Sequence, residues 1–391
     1  MGIHSYLLDN EMLLYSEARQ SIYCLNPSAS FLWCCYEEGL PEEQMVAELV
    51  DAFQINEAQA QRDLAATLSE WQKLGLLGGS PESRSSAGND GTGVGETDEA
   101  LIDTVCIGIL SGSGVIRYYR ILGQVIEIQY SDEALLKTAG MALGSLLVEV
   151  TATSQHNFTV ARAENGFVIK HGEQLVEHCR AIEELAPLVL AQVISRVYLD
   201  TSCLLGLHAA AVGKRGHCIA MPAVSGSGKS TLTAALAASG FDYYTDELVL
   251  VMNDSYQLMT APVGMGIKPG SWPLLSDYYP ELETLPVCPR PDGKQVRYLA
   301  APRAICASVD DGNHIRALVF PVYAPGQSAC LAPVSTADAI CRLTAAGYDV
   351  DGGLSRNTVE ELIGWIGEQD CYELLFDDLE EAIAIIDGLL A

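Results

Sequence analysis

The chemically most specific part of the sequence is Ala223–Ser230, which reads A-V-S-G-S-G-K-S between an apolar run and a helix-like run. Strand, glycine loop and helix in this order form a cradle for phosphate groups. Gly226 and Gly228 permit a tight turn whose main-chain N–H groups point inward. Lys229 can then reach the outer phosphates, and the Ser230 hydroxyl can bind Mg²⁺. We therefore predict a site for ATP and Mg²⁺, rather than a chance glycine turn, formed by Ser225, Gly226, Ser227, Gly228, Lys229, Ser230 and Thr231. The usual first glycine is replaced by Ala223, a position that mainly requires a small residue.

Two adjacent carboxylates follow this loop. The stretch Phe241–Val251 reads as a short strand, a turn that holds Asp246 and Glu247, and a second apolar strand. Carboxylates at a strand end beside a phosphate loop fit metal coordination and general-base catalysis. The alternative is a solvated acidic turn, which is common in so acidic a protein.

Composition narrows the classes of partner. The chain has 391 residues and a formal net charge of −29, from 51 acidic and 22 basic residues. Such a surface repels nucleic acid and anionic membranes and attracts a neutral or basic peptide. There is no secretory signal, no apolar run of membrane-spanning length and no C-x-x-C pair among the 12 cysteines. We therefore expect a soluble cytoplasmic protein whose cysteines are free thiols.

The chain divides at a segment rich in Gly, Ser and acidic residues. We predict a small domain over 1–77, a flexible linker over 78–100, an α+β region over 101–200 and an α/β domain over 201–391. Periodicity predicts helices at Ala134–Val148 and Ala181–Leu199 and a hairpin at Phe158–Ala161 and Gly166–Lys170. The predicted fold class is thus a multidomain α/β and α+β protein.

The first 77 residues predict two strands, Met12–Tyr15 and Ser21–Leu25, followed by three helices, the last capped by Asn56. This outline is that of a small winged-helix-like module. DNA reading is disfavoured, because the segment has three basic side chains against twelve acidic ones.

The same segment resembles the PqqD-like family of peptide-recognition domains in ribosomal peptide modification systems. The matching stretches are L-N-P-S-A-S-F-L-W, E-E-G-L-P and W-Q-K-L-G-L-L. The resemblance implies that a leader peptide adds a strand to the sheet edge near Met12 to Leu25. A structural or dimerising winged helix is the alternative.

The larger region resembles the HPr kinase/phosphorylase family and its divergent relatives. The resemblance rests on L-H-A-A-A-V before the glycine loop, S-G-S-G-K-S within it and T-D-E after it. It extends over about 101–391, and its specific part runs from His208 to Glu247. It implies a kinase with a P-loop α/β catalytic domain.

Residue by residue, the resemblance implies that Asp246 acts as base toward the acceptor hydroxyl and that His208 lies against this carboxylate and orients it. Glu247 stands where the family has a second Asp. The catalytic residues predicted in this way are Asp246, His208 and Lys229. The predicted Mg²⁺ ligands are Ser230, Asp246 and Glu247. For His208 alone, a buried core histidine is the alternative.

A later segment departs from the family pattern. Gly264–Ile267 aligns with an R-G-L-G segment of the bifunctional enzymes, but Val263 occupies the Arg position. This difference makes the reverse phosphorolysis reaction doubtful and favours a one-way kinase. Lys268 is either a contact to substrate or phosphate, or a surface lysine.

Together these features predict an ATP-dependent kinase for a Ser or Thr hydroxyl of a ribosomally synthesised precursor peptide or small protein, with the N-terminal domain binding the leader. Two alternatives are a nucleotide-gated peptide chaperone without phosphotransfer and a kinase for a small metabolite. The sequence leaves a homo-oligomer open.

Overall fold

The computed structural model describes residues 2–8, 11–77, 114–149, 153–307, 313–350 and 352–391. These residues form two compact units. The first contains the N-terminal residues up to 77 together with Ser335–Thr344 and Gly352–Gly367, and the second contains the remaining described residues. The predicted linker, 78–100, lies outside the described residues, as do positions 101–113 of the predicted middle region.

The α-helices of the described ranges are α1 (Pro27–Glu37), α2 (Glu42–Phe53), α3 (Glu57–Lys73), α4 (Glu133–Ala139), α5 (Leu185–Leu199), α6 (Lys229–Ala238), α7 (Trp272–Leu275), α8 (Thr336–Ala346), α9 (Arg356–Gly367) and α10 (Leu379–Leu389). The strands are β1 (Ile3–Leu8), β2 (Glu11–Ser16), β3 (Ser21–Leu25), β4 (Val115–Ile121), β5 (Gln124–Tyr130), β6 (Leu147–Val148), β7 (His156–Ala163), β8 (Gly166–His171), β9 (Gln174–Cys179), β10 (Leu205–Leu207), β11 (Ala209–Lys214), β12 (His217–Pro222), β13 (Asp242–Thr245), β14 (Val249–Val251), β15 (Leu258–Thr260), β16 (Met265–Ile267), β17 (Cys288–Pro289), β18 (Gln295–Leu299), β19 (Ile315–Tyr323), β20 (Cys330–Pro333), β21 (Tyr348–Asp349) and β22 (Asp370–Phe376).

The first unit begins with an antiparallel sheet in the order β1-β2-β3, followed by α1, α2 and α3. The sequence predicted β2 and β3, and β1 adds a third strand that pairs with β2. Asn26 and Asn56 cap α1 and α3, because their side chains accept hydrogen bonds from main-chain N–H groups of the first turn. The predicted cap at Asn56 is therefore confirmed.

Both faces of this sheet are buried. Met12 and Leu14 belong to the core formed with α1, α2 and α3. Leu13 and Tyr15 alternate with them along β2 and are each only 1% exposed. The second face is covered by the two later segments of the same unit, and the Tyr15 hydroxyl donates to the main-chain oxygen of Leu354. Nothing in the sequence had indicated this second layer.

A disulfide joins Cys24 on β3 to Cys341 on α8, with their Cα atoms 5.9 Å apart. The expectation of free thiols is wrong for this pair, because its members are 317 residues apart and no local spacing connects them. Other cysteines, such as Cys218 and Cys371, are buried free thiols as expected. Burial raises the pKa of Cys371 to about 12, so it remains a thiol.

The second unit contains a six-stranded sheet in the order β6-β4-β5-β7-β8-β9, with α5 in its core. The predicted hairpin is confirmed as β7 and β8. The predicted helix at Ala134–Val148 is wrong in its second half: α4 ends at Ala139, Gly140 follows it, and a 3₁₀ helix then spans Met141–Leu146. Gly140 is closely packed, since a Cβ there would lie 3.2 Å from the Tyr119 and Tyr130 hydroxyls.

A second six-stranded sheet has the order β13-β11-β12-β19-β22-β20, with α6 and α10 in its core. Strand β11 is antiparallel to both β12 and β13. These two strands therefore run in the same direction, and their C-terminal ends lie at one edge of the sheet. This topology brings the glycine loop after β12 and the acidic turn after β13 to the same edge.

Two smaller sheets complete the second unit. They have the orders β15-β14-β10-β21 and β16-β18-β17. Strand β10 leads into His208 and β16 leads into Lys268, so both residues leave these sheets at strand ends. Among the helices of the described residues, none combines the length and apolar character needed to cross a bilayer.

Candidate functional site

The glycine loop connects β12 to α6 and depends on two left-handed glycines. Gly226 has φ +96° and Gly228 has φ +87°, a region that favours glycine. A Cβ on Gly228 would lie 2.9 Å from the Phe376 ring, whereas a Cβ on Gly226 would meet nothing within 4 Å. Gly228 is thus required by both backbone and packing, while the space beside Gly226 is open.

The loop holds a buried polar atom that the chain does not satisfy. Ser227 Oγ is buried and has no hydrogen-bond partner among the described residues, although the Ser227 carbonyl accepts from the Tyr323 N–H at 3.0 Å. Ala223 is 7% exposed, which fits the expectation that this position needs a small residue. An orphaned hydroxyl, an open glycine turn and a helix N-terminus together fit a bound phosphate group.

Lys229 and Asp246 form a buried ion pair at this edge of the sheet. Lys229 Nζ donates to Asp246 Oδ1 at 2.9 Å and also to the Asp246 main-chain oxygen. The two residues are 8% and 6% exposed. They lie close together because β12 and β13 run in the same direction: Lys229 follows β12 through the glycine loop, and Asp246 directly follows β13. The structure thus brings together the lysine and the carboxylate to which the sequence assigned the chemistry.

His208 and Glu247 lie beside this pair. His208 Nδ1–H donates to the Glu247 main-chain oxygen at 3.2 Å, which leaves Nε2 without the proton. Desolvation in the cavity wall, followed by the charge of Lys229, lowers the pKa of His208 below its ordinary value. The sequence placed His208 against the Asp246 carboxylate, whereas its hydrogen bond is to the neighbouring main chain, and Lys229 holds the carboxylate.

All of these residues line one cavity of about 1290 Å³. Its polar end consists of the glycine loop, and its other walls include apolar residues of α5, among them Leu190, Ile194 and Tyr198. This volume exceeds the upper end of the range usual for ligand pockets, about 1,000 Å³, and so leaves room for two ligands side by side. The cavity also contains residues that the sequence did not single out: Ser271, Arg290, Asp292, Lys294 and Asp349.

The polar end of the cavity contains hydroxyl and carboxylate oxygens, the donor type that Mg²⁺ prefers. Ser230, Asp246 and Glu247 all line the cavity. No group of three or more His, Cys, Asp or Glu side chains in the described ranges could hold a metal on its own. Such a cage is not needed, because Mg²⁺ usually keeps several waters and is bound by one or two carboxylates and substrate phosphates.

Of two residues in the segment after β15, Val263 is buried away from the cavity and Lys268 lies at its wall. Val263 is 2% exposed and its main-chain oxygen accepts from the Tyr243 hydroxyl, so this position contributes no charge to the cavity. Lys268 lies at the cavity wall and donates to Ser225 Oγ at 3.4 Å. The sequence around it, K-P-G-S over Lys268–Ser271, contains no motif that indicates this contact.

Comparison with known proteins identifies the N-terminal segment. Residues 11–77 match the family model of Coenzyme PQQ synthesis protein D (PqqD). The match covers β2, β3 and α1 to α3, so the chain has an N-terminal PqqD domain within a mixed α/β, multidomain structure. A solved structure of TbiB1 in complex with the TbiA(beta) leader peptide is similar, with 24% identity over 20% of this chain and 93% of that chain and a TM-score of 0.20. No curated protein matches the chain.

Proposed function

We propose that this protein is an ATP-dependent kinase that phosphorylates a Ser or Thr hydroxyl of a ribosomally synthesised precursor peptide. The observation that carries the proposal is the pairing of Lys229 with Asp246 beside the glycine loop. A phosphate-binding lysine and a candidate base are held within hydrogen-bond distance of each other inside a cavity large enough for nucleotide and acceptor.

The chain's own residues supply binding and proton transfer. The main-chain N–H groups of the loop and Lys229 bind the phosphates, and Lys229 leaves the Asp246 carboxylate as it turns toward them. Asp246 then takes the proton of the acceptor hydroxyl, whose oxygen bonds to the terminal phosphorus as the bond to the diphosphate breaks. Positioning and charge account for most of the catalysis in such transfers.

Ser230 and Glu247 would hold Mg²⁺ next to the phosphates. The ion neutralises the charge of the outer phosphates when bound. The hydroxyl and the carboxylate line the same cavity, which supports their joint assignment. His208, neutral and bonded to the Glu247 main chain, would fix the acidic turn.

The PqqD domain supports a peptide as the acceptor. Its β3 is an outer strand, bonded to β2 on one side only among the described residues. An outer strand offers main-chain groups to which an extended leader can add as a further strand. Because leader binding raises the local concentration of the remainder of the peptide, even weak leader affinity supports efficient modification.

The test is transfer of label from γ-labelled ATP, with Mg²⁺, to a precursor peptide encoded beside this protein. Label is expected on a Ser or Thr of the peptide, with a higher KM when the leader is removed. ATP binding without transfer, with the leader attached, would instead identify a nucleotide-gated adaptor and reject the kinase proposal.

A further inference from the structure

A second lysine is fixed at the glycine loop. Lys268 Nζ lies 3.4 Å from Ser225 Oγ, at the start of the loop. Three residues later, Ser271 Oγ is 2.6 Å from Thr231 Oγ1, in the first turn of α6. The segment from Lys268 to Ser271 therefore contacts the loop at one end and α6 at the other, which holds the ammonium group at the cavity wall.

The surroundings of Lys268 are positive, although the chain as a whole has a net charge of −29. Arg290 and Lys294, from the turn between β17 and β18, share Asp292 at 3.6 and 3.3 Å. Lys268 itself donates to a neutral hydroxyl and has no carboxylate within ion-pair distance in the part of the chain that the structure describes. Asp292 therefore pairs with Arg290 and Lys294, and Lys268 is left without a carboxylate partner among the described residues.

The charge of Lys268 is not fully compensated by neighbouring carboxylates, and a bound anion would stabilise it. Desolvation lowers the pKa of Lys268, and Lys294 and Arg290 lower it further. A bound phosphate would stabilise the charged ammonium and reverse this effect. Asp246 and Lys229 also act on the Lys268 ammonium, so it lies within electrostatic reach of the pair that faces the transferred group.

We propose that Lys268 is a second phosphate-binding residue, which contacts the terminal phosphate of a bound triphosphate and so distinguishes ATP from ADP. The inference rests on the proposed function only in requiring a triphosphate site, and it does not depend on phosphate transfer. Its chemistry is that of a charge-assisted hydrogen bond from an ammonium to a phosphate oxygen.

The experiment compares the binding of ATP and ADP, each with Mg²⁺, to the wild-type chain and its variants by calorimetry. K268M is expected to weaken ATP binding by about tenfold or more, since hydrogen bonds to charged groups are strong. ADP affinity should stay within about twofold, because the diphosphate lacks the group that Lys268 contacts. K268R, which retains the charge, should recover most of the ATP affinity.

The matched control is K137M, at the exposed last turn of α4 and outside the cavity, which should bind both nucleotides as the wild type does. Should K268M unfold in a thermal scan, K268Q keeps a donor for Ser225 without the charge and is measured instead. Equal losses of ATP and ADP affinity, or no loss of either, would overturn the proposal. Absence of nucleotide binding by the wild type is a distinct result, which would reject the proposed function itself.

Discussion

The glycine loop and the sheet of the PqqD domain differ in what they bury. The loop leaves polar groups exposed or unsatisfied: Ser227 Oγ has no partner among the described residues, and the space beside Gly226 is open. The sheet instead buries apolar side chains on both faces, with Leu13 and Leu14 at 1% and 0% exposure on consecutive positions of β2. The loop is formed by contiguous residues, whereas the sheet needs segments more than 300 residues away.

The difference concerns what each region can lose. Unsatisfied polar groups in a site are available to bind a ligand, so a substitution there should reduce binding or activity while the chain stays folded. A sheet buried on two faces is stabilised by packing on both, so removing a buried side chain there should destabilise the unit.

The largest effect is expected from Asp246→Asn. The amide has the size of the carboxylate but cannot take a proton, so kcat for peptide phosphorylation should fall by about 10²–10⁴-fold. ATP affinity should change little, because Lys229 binds the phosphates in the complex. The nucleotide-free chain should lose some thermal stability, because the Lys229 ammonium loses its buried counter-charge. The control is Asp254→Asn, in an exposed turn with φ +59°, which asparagine tolerates. A full kcat in Asp246→Asn would remove this residue from the mechanism.

The next effect tests the two-sided burial of the sheet. Leu13→Ala should lower the free energy of unfolding by about 2–4 kcal/mol, because it leaves a cavity in a buried layer. The matched comparison is Leu14→Ala, one position along β2 on the face that packs against α1, α2 and α3. It should cost a similar amount. Denaturant unfolding measures both. A cost near zero for Leu13→Ala alone would mean that the second face of the sheet is not covered.

These two regions also differ in what the sequence could predict. The strand, loop and acidic turn around Lys229 and Asp246 were predicted because glycine spacing and apolar runs encode them locally. Their meeting at one edge follows from the directions of β12 and β13 relative to β11, which the motif alone does not specify. The hydrogen bond of His208 to the main chain could not be predicted, because residue types alone do not determine the positions of the two atoms.

The second layer of the PqqD sheet could not be predicted, for a different reason. Helices α8 and α9 read as ordinary amphipathic helices of the later chain, and their apolar faces do not say which surface they cover. The Cys24–Cys341 disulfide likewise depends on a contact across 317 residues. β1 was missed because its apolar and polar residues do not alternate clearly, which agrees with its mostly half-buried side chains.

A smaller effect separates the two glycines of the loop. Alanine at either position must adopt a left-handed conformation, which costs about 1–2 kcal/mol. Gly228→Ala should cost roughly 1–3 kcal/mol more than Gly226→Ala, since its Cβ would overlap the Phe376 ring. Thermal unfolding of both variants measures the difference. Equal losses would show that the ring moves aside, so that packing around the loop is looser than around the sheet.

The smallest effect distinguishes the regions by their response to acid. Desolvation lowers the pKa values of His156 and His171 in the second unit, where Arg196 acts in the same direction and Asp200 opposes it. A histidine with a lowered folded pKa contributes stability above its unfolded pKa, and this contribution is lost as the pH falls. The second unit should therefore start to lose stability below about pH 6.5.

In the PqqD domain the corresponding group is a carboxylate. Hydrogen bonding to His4 and to the Gly2 N–H lowers the pKa of Glu17, so its contribution is lost only as the pH falls below the ordinary carboxyl range. Hydrogen exchange followed by peptide mapping between pH 7 and 5 should thus show protection decreasing first around β7 and β8. His171→Gln, which removes one of the two titrating rings, should reduce this early loss, while earlier opening of β2 would reverse the assignment of acid sensitivity to the second unit.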